Sequence, residues 1–338
     1  MNIAYHTFKY FNENILSTIP SKWRGRLEFG FRSLSTKPID TLNENGRSLC
    51  KKSKTGETKI YRILRTKFFE KLFTKLIVKL GLVKKNDKVN IDFSEIENRQ
   101  VLMFGKQTNK GRAIALFFRF IKYPIKIASS QNFFIADAID EFIKTVQVKI
   151  RLVFDRGFAI PFLIKHLIER HEDDVVFYIR IKKSKKLDDK KLSKKISSLK
   201  KRDNTINIYE HELRVVRSKK SGKHKEPWFI VTNDFQSTAD EIIAIYYHRF
   251  EIEEFFKDAK RLSDLEYLRK VNDQSFTIIL WFILLGTWVC WLCRQIRRLW
   301  RFSRFHRKKG CKLLSLIRFW FCEIAKLKEL LFKSFTEV

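Results

Sequence analysis

Tyr246, Arg249, Glu253 and Lys260 are spaced along one segment that could do chemistry, Ile245 to Lys260. On a helix turning about 100° per residue, the four fall within an arc of roughly 60°. Ile245, Ile252, Phe255, Ala259 and Leu262 fill the neighbouring arc and are expected to face a core. Glu251, Glu254, Lys257, Asp258 and Arg261 lie opposite, toward solvent. Glu253 is then a carboxylate held between two cations at the border of a buried face. That arrangement is costly unless it serves a site. It offers an oxygen ligand for a divalent ion, with cations on either side for phosphate. An amphipathic helix with i,i+4 ion pairs has the same residue types, so the spacing has to decide.

Two further acids stand where strands are expected to end: Asp92 in Asn-Ile-Asp-Phe-Ser, and Asp155 in Val-Phe-Asp-Arg-Gly-Phe. Alone, Asp92 fits a turn and Asp155 a helix N-cap. Taken with the spacing Tyr246, two residues, Arg249, three residues, Glu253, six residues, Lys260, they carry a resemblance. The chain resembles the DDE transposases of the bacterial group named for its Y-(2)-R-(3)-E-(6)-K signature, insertion-sequence family four. The likeness covers roughly residues 85–295, with the N-terminal portion only loosely similar. Phe250 stands where that family often has Trp, which keeps an aromatic face and loses an indole donor.

The resemblance implies a ribonuclease-H-like domain in which Asp92, Asp155 and Glu253 are the catalytic, metal-binding acids. Two Mg²⁺ ions (or Mn²⁺) would serve, because paired ions activate the attacking water and stabilise the leaving oxygen in line. Asp92 would bridge both ions. Arg249, Lys260 and Arg156 would contact the DNA backbone, and Tyr246 would hydrogen-bond a phosphate or stack on a flipped base. The partners implied are double-stranded DNA, as element ends and target, and a second copy of the chain in the DNA complex. The likeness also suggests a hairpin intermediate.

The elements that must position these residues follow from pattern. Lys88–Phe93, Arg99–Phe104 and Ala113–Ile121 read as three strands, with Lys149–Phe154 a fourth that delivers Asp155. Phe133–Val146 and Pro161–Arg170 read as helices, with Val175–Ile181 and Trp228–Thr232 as later strands. Thr238 and Glu241 form a capping box opening one long helix to about Leu262. The fold class expected is α/β, a mixed sheet flanked by helices. The Lys-rich residues from about 182 to 225, with one β-like run over Asn207–Val216, read as an insertion. It is either a DNA-facing platform or a solvated loop. Residues 1–84 read as a basic helical region and 85–293 as the catalytic domain. Residues 294–338 read as basic C-terminal helices, candidates for the contact between copies. A helix ending near Cys50, a turn at Ser53–Gly56 and a following helix fit a helix-turn-helix, or a plain bundle.

The formal net charge of +33 favours a polyanionic partner, nucleic acid before an anionic membrane. AT-rich coding would explain the lysines but not the arginine clusters. Apolar residues throughout exclude a disordered basic tail. The N-terminal residues lack an apolar signal region and the five cysteines are odd in number, so a cytoplasmic protein is expected, nucleoid-associated when bound to DNA. The lone pair Cys290 and Cys293 lacks the further ligands that zinc requires. His166, His171, His211 and His248 lack ligand spacing and read as surface or packing residues. Phe276–Cys293 is long and apolar enough for either a spanning helix or a buried one. Two alternatives to an active enzyme remain: a catalytically silent relative that only binds DNA, and a basic membrane-associated protein.

Overall fold

Amphipathic spacing in the first eighty residues produces helices α1 (Ile3–Asn14), α2 (Ser21–Leu34), α3 (Ser53–Leu64) and α4 (Phe68–Lys79). The computed structural model describes residues 3–34, 47, 50, 52–109, 111–122, 130–184, 196–199, 201–219, 226–263 and 271–295. The expected turn at Ser53–Gly56 is instead the first turn of α3. The carbonyl of Lys52 accepts from the amides of Thr55 (3.0 Å) and Gly56 (3.3 Å), which starts the helix. Gly56 costs that helix about 1 kcal/mol relative to Ala, too little to stop it. The helix expected to end near Cys50 lies largely outside the described residues, as do the C-terminal helices beyond residue 295.

The middle of the chain builds one eight-stranded sheet in the order β3-β2-β1-β4-β5-β8-β7-β6. The strands are β1 (Lys88–Ile96), β2 (Arg99–Lys106), β3 (Ile114–Lys122), β4 (Ile150–Phe154), β5 (Val175–Ile181), β6 (Asp203–Ile208), β7 (His211–Arg217) and β8 (Phe229–Thr232). The first three are antiparallel, while β4 and β5 run parallel to β1. Parallel neighbours need helical crossovers, supplied by α5 (Ser130–Val146) and α6 (Pro161–His171). This is the mixed α/β sheet flanked by helices that the sequence predicts, of the ribonuclease-H-like class.

The basic insertion extends the sheet. Its single expected β-run is a hairpin: β6 and β7 pair antiparallel, and β7 pairs β8. Tyr209 (φ 55°) and Glu210 (φ 71°) make the two-residue turn. Both take left-handed backbone, as type I′ hairpin turns require, yet neither is the Asn or Gly that signals such a turn.

The long helix expected after Thr238 is interrupted. The capping box is present, with the Thr238 amide donating to Glu241 Oε2 at 2.7 Å. It opens α7 (Ala239–Tyr247), which ends in a short 3₁₀ turn over His248–Phe250 before α8 (Glu251–Ser263) resumes. Side chains of the sheet region bond carbonyls at this interruption, where the His248 carbonyl also accepts the Glu251 amide. Asn90 Nδ2 donates to His248 O (3.0 Å) and Gln107 Nε2 to Ile245 O (3.0 Å).

Backbone packing divides the chain into two units, Met1–Leu76 with Phe255–Val338, and Ile77–Glu254. In the first, α9 (Asp273–Gln295) is buried from Phe276 through Ile283 but for Thr277, and packs on α1, α2 and α3. Phe73 stacks on Trp281 of α9 with centroids 5.5 Å apart. Gly30 lets α2 approach: a Cβ there would stand 2.3 Å from Phe282 Cζ. Among the described residues, no helix is long and apolar enough to cross a membrane.

Candidate active site

The register of the second unit sets the two aspartates side by side. In the parallel pair, Asn90 matches Val153 and Ile91 matches Phe154, so the next residues along are Asp92 and Asp155. Neighbouring strands lie about 4.8 Å apart. The structure corrects one detail: Asp92 lies inside β1 rather than at its end. It pairs with Met103 of β2, because β1 continues to Ile96 after β4 has stopped. Asp155 is the first residue past β4 and precedes a short 3₁₀ turn, Arg156–Phe158. It makes no side-chain cap there, so its carboxylate is left for other partners.

Those partners come from the interruption between α7 and α8. Arg249 is buried, and its guanidinium reaches all three acids. Nη1 lies 3.3 Å from Asp92 Oδ2, Nε 3.8 Å from Asp155 Oδ1 and Nη2 2.5 Å from Glu253 Oε1. The acids grade outward, their side chains 18%, 34% and 47% exposed in that order. Tyr246 is fully buried, its hydroxyl 3.3 Å from Asp155 Oδ1 and its ring edge-on to Trp228 at 5.3 Å. That ring is enclosed and has no open face for a base. Phe250 is exposed, and the Arg249 guanidinium lies over it at 4.5 Å. Arg156 is exposed beside Asp155, and Lys260 is half-buried seven residues past Glu253 on α8.

The charges do not balance. Three carboxylates face one guanidinium, an excess of two negative charges if all are ionised. Burial pushes the Asp92 carboxyl up to about 6, against the pull of Arg249 and a hydrogen bond from the Phe93 amide, with Glu253 and Asp155 adding to the rise. Arg249 Nε is buried without a hydrogen-bond partner among the described residues. An all-carboxylate donor set with surplus negative charge fits a hard divalent cation. The orphaned donor beside it fits an added anionic oxygen.

A continuous helix over 245–262 would put some residues on the wrong side, because the segment is broken at His248–Phe250. Glu251 and Asp258, expected toward solvent, are buried. Glu251 accepts from the amides of Thr108 (2.7 Å) and Gly111 (3.1 Å), tying the β2–β3 loop to the start of α8. Asn90, Gln107 and Glu251, which hold the interruption in place, were not singled out in the sequence. The only signals are a polar residue inside a strand, another just past a strand end and one acid among several on the helix. Of the four histidines, His166 and His171 take the packing alternative: they are largely shielded from solvent and bonded to Asp140.

Residues 129–287 match the family model described as a transposase DDE domain. The match spans Asp155, Arg249 and Glu253 and begins after Asp92. It supports a DDE transposase. No curated protein matches the chain.

Proposed function

We propose that this chain is a DNA transposase of the Y-(2)-R-(3)-E-(6)-K group that nicks DNA at the ends of an insertion sequence and transfers the exposed strand. The single observation that carries the reading is the meeting of Asp92, Asp155 and Glu253, from three separate segments, on one guanidinium. An ordinary amphipathic helix does not explain acids gathered from a strand, a strand end and a helix. The catalytic domain proposed is 85–293, with the insertion at about 182–225, and the working form on DNA is a dimer.

Asp92, Asp155 and Glu253 would hold Mg²⁺ or Mn²⁺, two ions in all; when bound, these supply a Lewis acid and a nucleophilic hydroxide at neutral pH. The chain's own residues prepare that site. Tyr246 donates to Asp155 and fixes its orientation, in place of the DNA contact that the resemblance implies. Arg249 offers five donors in a planar fork. It holds the acids together and can present Nε to a phosphate oxygen. Exposed Arg156 and half-buried Lys260 are assigned to the DNA backbone, where cations neutralise phosphates and make affinity fall with salt.

The test is a nicking assay in Mg²⁺ on duplex DNA taken from either side of the coding region. Asp155→Ala and Glu253→Ala should each abolish cleavage, because each removes a carboxylate proposed to hold the metal ions. Cleavage that survives both substitutions would overturn the assignment. DNA retention without cleavage by the parent chain would favour the silent relative.

A further inference from the structure

Two histidines and an aspartate apart from the Arg249 cluster converge on a single oxygen atom. Asp140 lies on α5, and His166 and His171 lie on α6. Each histidine places Nε2 2.7 Å from Asp140 Oδ1. The rings stand edge to face with centroids 5.6 Å apart. All three donor atoms lie within 4.8 Å of one another. The histidine side chains are 10% and 12% exposed, and that of Asp140 is 33% exposed.

We infer that Asp140, His166 and His171 form a binding site for a zinc-class transition-metal ion, ligated by Oδ1 and the two Nε2 atoms, with solvent in the fourth position. Two imidazole nitrogens and one carboxylate oxygen are donors that Zn²⁺ accepts and that Mg²⁺ does not select. Zinc bonds of about 2.0–2.2 Å spread tetrahedral donors to roughly 3.3 Å. The 2.7 Å contacts must therefore open by about half an ångström. The carboxyl group is the most exposed of the three, and its rotation can supply that movement. Arg170 Nη1 stands 3.8 Å from the other oxygen, Oδ2, leaving Oδ1 as the ligand. Phe162 stacks beside the His166 ring at 6.1 Å and steadies its aim. A bound ion would tie α5 to α6, the helices that cross from β3 to β4 and from β4 to β5. The trio has no sequence motif, because His171 is the last residue of α6 and the third ligand comes from another helix.

The full chain, without a histidine tag, is equilibrated with Zn²⁺ in excess Mg²⁺, so that carboxylate-only sites are filled by the harder ion. Bound zinc is counted by elemental analysis, and affinity is read by competition with a chromophoric chelator. One zinc per chain is expected. Affinity should fall about tenfold or more in His166→Gln, His171→Gln and Asp140→Asn. These amides keep hydrogen-bonding capacity, and circular dichroism of the metal-free variants checks that they fold. A rise in the parent's unfolding temperature with Zn²⁺ gives a second readout that needs no variant. No stoichiometric zinc, or equal affinity in parent and all three variants, overturns the site and leaves a hydrogen-bonded trio.

Discussion

The side-chain amide of Asn90 donates to the backbone carbonyl of Arg249 at 3.3 Å. Asn90 stands two residues before Asp92, on the same face of β1. One strand thus presents a candidate acid and pins the turn that carries the arginine meeting that acid. Asn90 Oδ1 in turn accepts from Gln107 Nε2 at 2.7 Å, so the amide is bonded at both ends in a buried setting. Asn90→Ala should lower stability by about 1–3 kcal/mol, the cost of leaving buried polar groups unpaired. Urea unfolding measures it, and unchanged stability would mean that the interruption does not depend on this side chain.

Arg249 is expected to matter more. Its removal leaves Asp92, Asp155 and Glu253 without the guanidinium they share. Arg249→Gln should destabilise the chelator-treated protein by about 2–4 kcal/mol, and Mg²⁺ should restore part of the loss. Paired urea melts with and without Mg²⁺ give both numbers. Equal stability of variant and parent in chelator would show that the guanidinium contributes nothing to holding the acids.

Much of this was legible in the sequence, for identifiable reasons. Strands such as Val175–Ile181 were read to the residue, because branched and aromatic runs between turns have few alternative structures. The segment carrying Tyr246, Arg249 and Glu253 was found by spacing. Its interruption was not, since it is bonded by Asn90 and Gln107, more than a hundred residues away in sequence. Helical periodicity describes local preference and cannot register a tertiary donor that captures a carbonyl. The same limit hid the trio of Asp140, His166 and His171, whose members share a site only after α5 and α6 have packed. The β6–β7 turn was missed for a local reason, the absence of a turn-forming residue at Tyr209 and Glu210.

Glu251 tests whether the loop between β2 and β3 depends on α8. The buried carboxylate accepts from Thr108 and Gly111, and the Glu251 carbonyl accepts from the Ala113 amide at 3.0 Å. Glu251→Ala removes the side-chain acceptors and keeps the carbonyl. A loss of about 1–3 kcal/mol is expected. Hydrogen exchange should quicken at Thr108 and Gly111 while Ala113 stays protected. Exchange unchanged at all three amides would sink the idea that this carboxylate anchors the loop.

Asp92 makes a prediction whose sign depends on pH. In the unfolded chain its carboxyl titrates near 3.8, and in the folded protein burial raises that to about 6. Between those values the folded state binds more protons than the unfolded one. The contribution of Asp92 to stability without metal therefore falls as pH rises from about 4 to about 6, and stays low above that. Asp92→Asn cannot ionise, so the chelator-treated variant should be more stable than the parent at pH 8, by about 1–3 kcal/mol. Near pH 4 the advantage should vanish. Added Mg²⁺ should stabilise the parent by offsetting the ionised group, and should stabilise the variant much less. Thermal melts of both proteins across this pH range, in chelator and in Mg²⁺, measure the four cases. A variant less stable than the parent at pH 8 in chelator would mean that the ionised carboxylate is already well compensated by Arg249. The charge argument for a divalent ion at this site would then fail.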